Sequence, residues 1–425
     1  MSASPHQTTG DACANSLDST DNQMMQEHTY VAKGEEAPGT PKALTAELLF
    51  LLAGLAALGA LATNIILPAF PDMAVALGTS VIDLSATLSS FLVAFAVGQL
   101  FVGPLSDRFG RRWLVLAGLL AFVIGSAICA FASTLPQLIG GRVVQALGVC
   151  ATSVLSRAIA RDLFDGEALA RTLTLIMVAM AAAPGFSPML GGALSSWLGW
   201  QFTFAFVGVM AVVLAIHYNA RLGETHQADR RSAISIPAIL KTYWQLLTDR
   251  RFIAPALTMS LVSGSLYAFF GMAPAILMVG FHFSPFGLAI FFASTVFVVF
   301  GAGLLVPRLA HRWGQARAVR VGLVIALTGS IVLLVGKEDF VFFSAALMVF
   351  LLGMGMVNPL GTAIALHPFG RQAGAASALL GFLQMGCAAV AISVGAMLDV
   401  PAYTSLGIIL TSSLALAFAA FWTLQ

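Results

Sequence analysis

Long apolar runs fill the chain from residue 46 to its end, each closed by a short polar or turn-forming stretch. The runs are continuous rather than alternating, so they read as buried helices and not as half-buried strands. A helix needs about 20 apolar residues to cross a bilayer. Twelve crossings are predicted, over 46–67, 84–105, 112–132, 137–157, 169–195, 201–219, 253–280, 286–308, 318–336, 340–364, 372–397 and 402–424. Residues 172–220 and 252–307 carry no Asp, Glu, Lys or Arg, yet each is too long for one crossing. SSWLGWQ at 195–201 and GFHFSPFG at 280–287 supply the turns that split them.

The widest polar interruption, 220–250, divides six helices from six. SDRFGRRW at 106–113 has a weaker echo, AHRWGQAR, at 310–317, at the same place in the second half. Duplicated six-helix units are a transporter architecture, with a substrate site near the midplane. The expected fold is therefore an all-α membrane protein of twelve transmembrane helices in two pseudo-symmetric six-helix bundles. Its parts are a disordered tail (1–45), a first bundle (46–219), a linker (220–250) and a second bundle (251–425). Within the linker, IPAILKTYWQLL at 236–247 mixes apolar and aromatic residues with Lys241, as a helix lying along a membrane face would.

Composition agrees: 59% of residues are hydrophobic and 9% charged, against about 25% charged in soluble domains. The net charge of +2 gives no sign of a nucleic-acid partner. The four cysteines are scattered, which predicts neither a disulfide framework nor a metal site. No Walker loop or catalytic triad is present, so neither an ATP-driven pump nor an enzyme is expected, and no cofactor.

Charge also predicts orientation. Arg108, Arg111, Arg112, Arg161, Arg171, Arg221, Arg230, Arg231, Lys241, Arg250, Arg251, Arg308, Arg312, Arg317 and Arg371 fall on one side, with Lys33 and Lys42. The other side has Lys337 alone. Positive loops stay in the cytoplasm. Both termini are therefore expected there, in a chain crossing the inner or plasma membrane.

Four stretches carry candidate chemistry. Residues 103–112 are expected to form a turn, with Gly103 and Gly110 allowing a tight backbone and Arg108, Arg111 and Arg112 anchoring it inside. Asp107 has no orienting role and is expected to find a partner, Arg157 or a helix N-terminus. Arg142 lies within the fourth run, where a charge costs about 2.5–3.5 kcal/mol on insertion scales and implies function by default. Gln145 shares its face. The alternative is an arginine that snorkels to the outer interface. In APGFSPMLGG (183–192), Pro184 and Pro188 interrupt the backbone ladder, and Ser187, Gly191 and Gly192 allow close helix contact. LATNIILPAFPDM (61–73) ends the first helix.

These stretches together resemble the major facilitator superfamily. GPLSDRFGRR resembles its loop 2–3 signature, which implies that Asp107 helps to latch the cytoplasmic side. Arg142 and Gln145 resemble its R-x-x-Q motif, tied to proton coupling in proton-driven antiporters. APGFSPMLGG resembles the antiporter signature of helix 5. LATNIILPAFP and SRAIARDLF (156–164) resemble the bicyclomycin- and chloramphenicol-resistance branch of drug exporters. Asn64 stands where that branch has an aspartate, and an amide cannot carry a proton. No Asp or Glu lies in the middle of any run, which leaves Asp72 as the first candidate carrier.

The resemblance implies a proton-driven exporter of small, largely apolar compounds, with the bilayer, protons and a small-molecule substrate as partners and a monomeric state. Asn64, Gln145, Asn358, Gln384, Tyr267 and Phe91 are candidate cavity residues. A proton-independent facilitator or metabolite exporter stays open, as does a non-transporting membrane sensor.

Overall fold

The structure is a computed structural model describing residues 45–226 and 236–423, and the side chains of all these except residues 236, 371 and 423. The expected disordered tail, together with Lys33, Lys42, Arg230 and Arg231, lies outside the described residues. Twelve helices among the described residues are long and apolar enough to span a membrane, one for each predicted run.

The first span joins α1 (Ala46–Asn64), a 3-10 turn (Leu67–Ala69) and α2 (Phe70–Leu77). Pro68 supplies the break, because it offers no N–H to the Asn64 carbonyl. The next five spans are α3 (Ser85–Phe109), α4 (Arg111–Ala130), α5 (Leu135–Leu163), α6 (Gly166–Leu198) and α7 (Gln201–Arg221). A separate helix α8 (Ile236–Thr248) follows in the linker. The second set comprises α9 (Arg250–Ala273, continued by a π-turn to Gly280), α10 (Pro285–Trp313), α11 (Gln315–Val335), α12 (Phe340–Leu366), α13 (Ala373–Met397) and α14 (Ala402–Thr423).

Both expected internal splits hold. Gly199 turns with φ of 100°. Near residue 284, the Ser284 hydroxyl caps α10 by accepting from the Gly287 N–H at 3.0 Å. The expected turn over 103–112 is corrected. Residues 103–109 are the last turns of α3, and only Gly110, with φ of 92°, reverses the chain. Gly314, with φ of 79°, does the same between α10 and α11, so the duplication extends to the backbone of both turns. Pro184 and Pro188 lie inside a continuous α6 rather than ending it.

Packing follows the duplication. In the first half α4 lies against α5 and α7; in the second, α11 lies against α12 and α14. The α4–α5 crossing is so close that a Cβ on Gly125 would meet the Gln145 backbone at 2.5 Å. Likewise, a Cβ on Gly329 of α11 would meet the Phe350 amide nitrogen at 2.5 Å. Gly118 and Gly125, and their counterparts Gly322 and Gly329, recur two turns apart in the sequence. That spacing signals close helix pairs. The halves meet along α3 with α13 and along α6 with α10. Around the outside, large apolar side chains stand exposed, Phe50 at 75% and Leu304 at 74% among them. An exposed apolar belt of this kind fits a bilayer and not water.

Candidate functional site

The centre of the first half holds a buried cation. Arg142 of α5 is completely buried. Its Nη1 donates to the Gln145 side-chain oxygen at 2.6 Å and to the Ala62 carbonyl at 3.1 Å. Ala62 is in the last turn of α1, where carbonyls lack intrahelical donors and a cation is favoured. Below the guanidinium lies the Phe91 ring, 4.2 Å from its centroid, a cation–π contact. Gln145 continues the chain, donating to the Ser126 hydroxyl at 2.8 Å, which donates to the Phe122 carbonyl at 2.8 Å. One arginine thus ties α1, α3, α4 and α5 together. Arg142 does not snorkel, and it packs inside the first half rather than facing the gap between halves. Phe91 and Asn64 are buried as well, the Asn64 amide donating to the Ala60 carbonyl at 2.8 Å.

The basic end is organised around Arg111, at the start of α4. Its guanidinium binds Asp107 at 2.6 Å, Asp162 at 3.2 Å and the Ser106 hydroxyl. Its backbone N–H donates to Glu224 at 2.8 Å, so a carboxylate beyond α7 caps the start of α4. The Asp107 carboxylate is therefore held by Arg111 and not by Arg157, because the Gly110 reversal brings the Arg111 guanidinium beside it. Arg157 instead reaches the Met180 sulfur at 3.8 Å. Arg108 is exposed, and Arg112 donates to Asn219 at 2.8 Å.

Why α3 runs straight through Pro104 is explained by α8. A proline at 104 leaves the Leu100 carbonyl without its helical donor. The Tyr243 hydroxyl of α8 donates to that carbonyl at 2.9 Å. Burial pushes the Tyr243 phenol above its ordinary value of 10.0. Tyr243 and Leu246 face inward, whereas Leu240 and Trp244 on the opposite face are 62% and 69% exposed. A double-mutant cycle tests the link. Tyr243→Phe is expected to lower stability by about 1 kcal/mol, the net worth of one hydrogen bond. In a Pro104→Ala background, where the helix regains its own donor, that cost is expected to vanish. An equal cost in both backgrounds, read from thermal unfolding in detergent, would refute the link.

At the opposite end, the halves are wedged by α6. A Cβ on Gly191 would run into the Ile65 carbonyl at the end of α1, and one on Gly192 would meet the Pro285 carbonyl at 3.3 Å. Ser187 and Pro188 are buried, and the Ser187 hydroxyl donates to the Ala183 carbonyl at 2.6 Å. Asp72, in the first turn of α2, is exposed and accepts from the Ser195 hydroxyl at 3.0 Å.

Between the halves, at mid-helix depth, lies an apolar pocket of about 420 Å³. Met180 and Pro184 come from α6; Phe270, Phe300, Met354 and Asn358 come from α9, α10 and α12. Of the six expected cavity residues, only Asn358 borders it in this conformation. Tyr267 stands behind, edge-on to Phe270 with centroids 5.8 Å apart. Gln384 is half-buried on α13, outside the pocket. Met180, Phe300 and Met354 were missed from sequence, since one Phe or Met among many apolar residues carries no local signal.

Comparison with known proteins now bears on this geometry. The model of the Major Facilitator Superfamily matches residues 52–392. An uncharacterized MFS-type transporter, YdgK of Bacillus subtilis (strain 168), is 32% identical over 80% of this chain and 85% of its own. A chloramphenicol resistance protein of Pseudomonas aeruginosa is 30% identical over 79% and 80%. Among solved structures, nucleoside transporter NupG superposes with a TM-score of 0.70 at 15% identity, covering 89% of this chain and 98% of that one. The D-xylose-proton symporter gives 0.70 at 14%, covering 87% and 96%. Identities this low speak for the fold alone, but fold, span count and family match agree: the chain belongs to the Major Facilitator Superfamily, and it is a membrane transporter and not an enzyme.

Proposed function

We propose that the protein exports small, largely apolar compounds by alternating access, driven by proton influx. The observation that carries this reading is the mid-depth apolar pocket shared by the two halves, with Asn358 as its amide handle. Pockets of this size and lining suit small apolar ligands. The Pseudomonas aeruginosa relative is a chloramphenicol resistance protein, and an Escherichia coli relative, 27% identical over 86% of this chain, is multidrug resistance protein D. The basic end, with its arginine-rich loops, faces the cytoplasm by the positive-inside rule, which places both termini inside. All the residues that line the pocket belong to one chain, which fits a monomer.

Arg142 and Gln145 are assigned to proton coupling, and the Arg111 cluster with Gly103, Asp107, Arg108, Gly110, Arg112 and Arg157 to the cytoplasmic latch. Among carboxylates at the far end, Asp83 is a poor carrier. Hydrogen bonds from Ser80, joined by Thr79, hold it below the usual carboxylate range, so it keeps its charge at neutral pH. Asp72 is the better candidate, because its carboxylate joins α2 to α6 through Ser195. Asn64, which cannot titrate, favours the second reading, a proton-independent facilitator.

Inverted membrane vesicles separate the two. Under the first reading, uptake of a fluorescent apolar drug requires an imposed proton gradient, and Asp72→Asn loses that dependence. Uptake at the same rate with the gradient collapsed would remove proton coupling. Absence of uptake for every compound in a resistance-guided panel would remove drug export.

A further inference from the structure

A second cavity, of about 480 Å³, lies at the basic end between α3 and α5 of the first half and the start of α13 of the second, with α8 alongside. Part of its wall is apolar, including Val154, Leu155, Ala158 and Ile239. Its charged lining is Asp107, Arg111, Arg157 and Arg161. Charge accounting decides its character. Asp107 and Asp162 both bind Arg111, a trio with one net negative charge, so Arg157 and Arg161 leave the cavity and its neighbours with one net positive charge. Among the described residues no carboxylate lies within ion-pair distance of Arg157 or Arg161. The Met180 sulfur that Arg157 reaches is a weak acceptor.

Two like charges one turn apart on a helix repel each other, and here both residues line the same cavity, Arg157 half-buried and Arg161 exposed. The facing wall adds to the positive field. Gly374 and Ala375 belong to the first turn of α13, with Ser377 just after it, and no side chain caps that N-terminus. The positive end of a 25-residue helix lies there. Arginine forks match carboxylate and phosphate oxygens two at a time.

We propose that this cavity binds the anionic head of an amphiphile, a carboxylate or phosphate on an apolar body, between Arg157, Arg161 and the first turn of α13. The head bridges the two halves, and the apolar wall takes the start of the tail. The chemistry is shared by a free amphiphilic anion and by an anionic lipid. The proposal depends neither on what the mid-depth pocket exports nor on proton coupling.

The test uses the full chain in phosphatidylcholine nanodiscs, titrated calorimetrically with n-octyl phosphate and, for comparison, neutral n-octyl glucoside. Wild type is expected to bind the phosphate selectively. The Arg157→Gln, Arg161→Gln double variant is expected to bind it at least about tenfold more weakly, a loss of about 1.4 kcal/mol, with the glucoside unchanged. Should that variant not fold, as judged by thermal unfolding, the double lysine variant replaces it; it keeps the charge, loses the fork and is expected to bind severalfold more weakly. Adding phosphatidylglycerol to the nanodisc identifies the source. Loss of octyl phosphate binding, with one phosphatidylglycerol retained per wild-type protein in native mass spectrometry, assigns the site to a lipid head. Unchanged binding assigns it to a soluble anion. Equal phosphate affinity in wild type and the folded variant, or no preference for phosphate over glucoside, overturns the proposal.

Discussion

Replacing Arg142 by methionine is expected to impair transport severely while leaving the fold nearly as stable as before. The side chain is completely buried and has no carboxylate within ion-pair distance among the described residues. Removing a charge from the membrane interior recovers about 2.5–3.5 kcal/mol on insertion scales. Against this, Ala62 and Gln145 each lose a donor, at about 1–3 kcal/mol for each group left unpaired. The contributions are similar in size and opposite in sign, so the unfolding midpoint is expected to move by only a few degrees. Transport is expected to fall at least about tenfold, or about 1.4 kcal/mol in barrier height. Arg142→Lys sharpens the test, because an ammonium keeps the charge but cannot lie flat on Phe91 while reaching two acceptors. A methionine variant that transports normally would reduce Arg142 to a packing residue.

Gly191→Ala is expected to be the most damaging conservative change in α6. The added methyl has the Ile65 carbonyl in its way, and a backbone atom at a helix end cannot swing aside as a side chain can. Overpacking of this kind costs about 1–3 kcal/mol. The strain falls where α1, α6 and α10 meet, at the end opposite the arginine cluster, so closure of that end is expected to suffer first. Gly192→Ala is the control, since its methyl would sit 3.3 Å from the Pro285 carbonyl, a contact that a shift of a few tenths of an ångström relieves. Expected results are efflux reduced at least about fivefold in Gly191→Ala and nearly normal in Gly192→Ala, that factor being about 1 kcal/mol. Equal activities would show that α6 does not seal against α1 this closely.

Site geometry was legible in part. The Arg142–Gln145 contact follows from three-residue spacing on a helix, and the structure closes it at 2.6 Å. Its surroundings do not follow from spacing, because which neighbour the shared face meets depends on how α5 is rotated against α1, α3 and α4. Asp107 shows the same limit. A partner was expected, and the expected Arg157 lost to Arg111, whose guanidinium the Gly110 turn brings back beside the carboxylate. Tyr243 was invisible as a functional residue, since its role depends on a carbonyl freed by a proline 139 positions earlier in the chain.

By itself the sequence determined the twelve spans, the division into two sixes and the side on which arginine gathers. Those depend on transfer of apolar runs from water to lipid and on local turn chemistry, both set by neighbouring residues along the chain. Only the tertiary structure decided that residues 103–109 stay helical, that Arg142 faces inward within one half, and that the apolar pocket forms from α6, α9, α10 and α12. Each of these rests on a partner from a distant helix: a phenol for an orphaned carbonyl, a helix end for a cation, a facing half for a wall. Such partners are set by how the helices rotate and cross, and no local spacing encodes that.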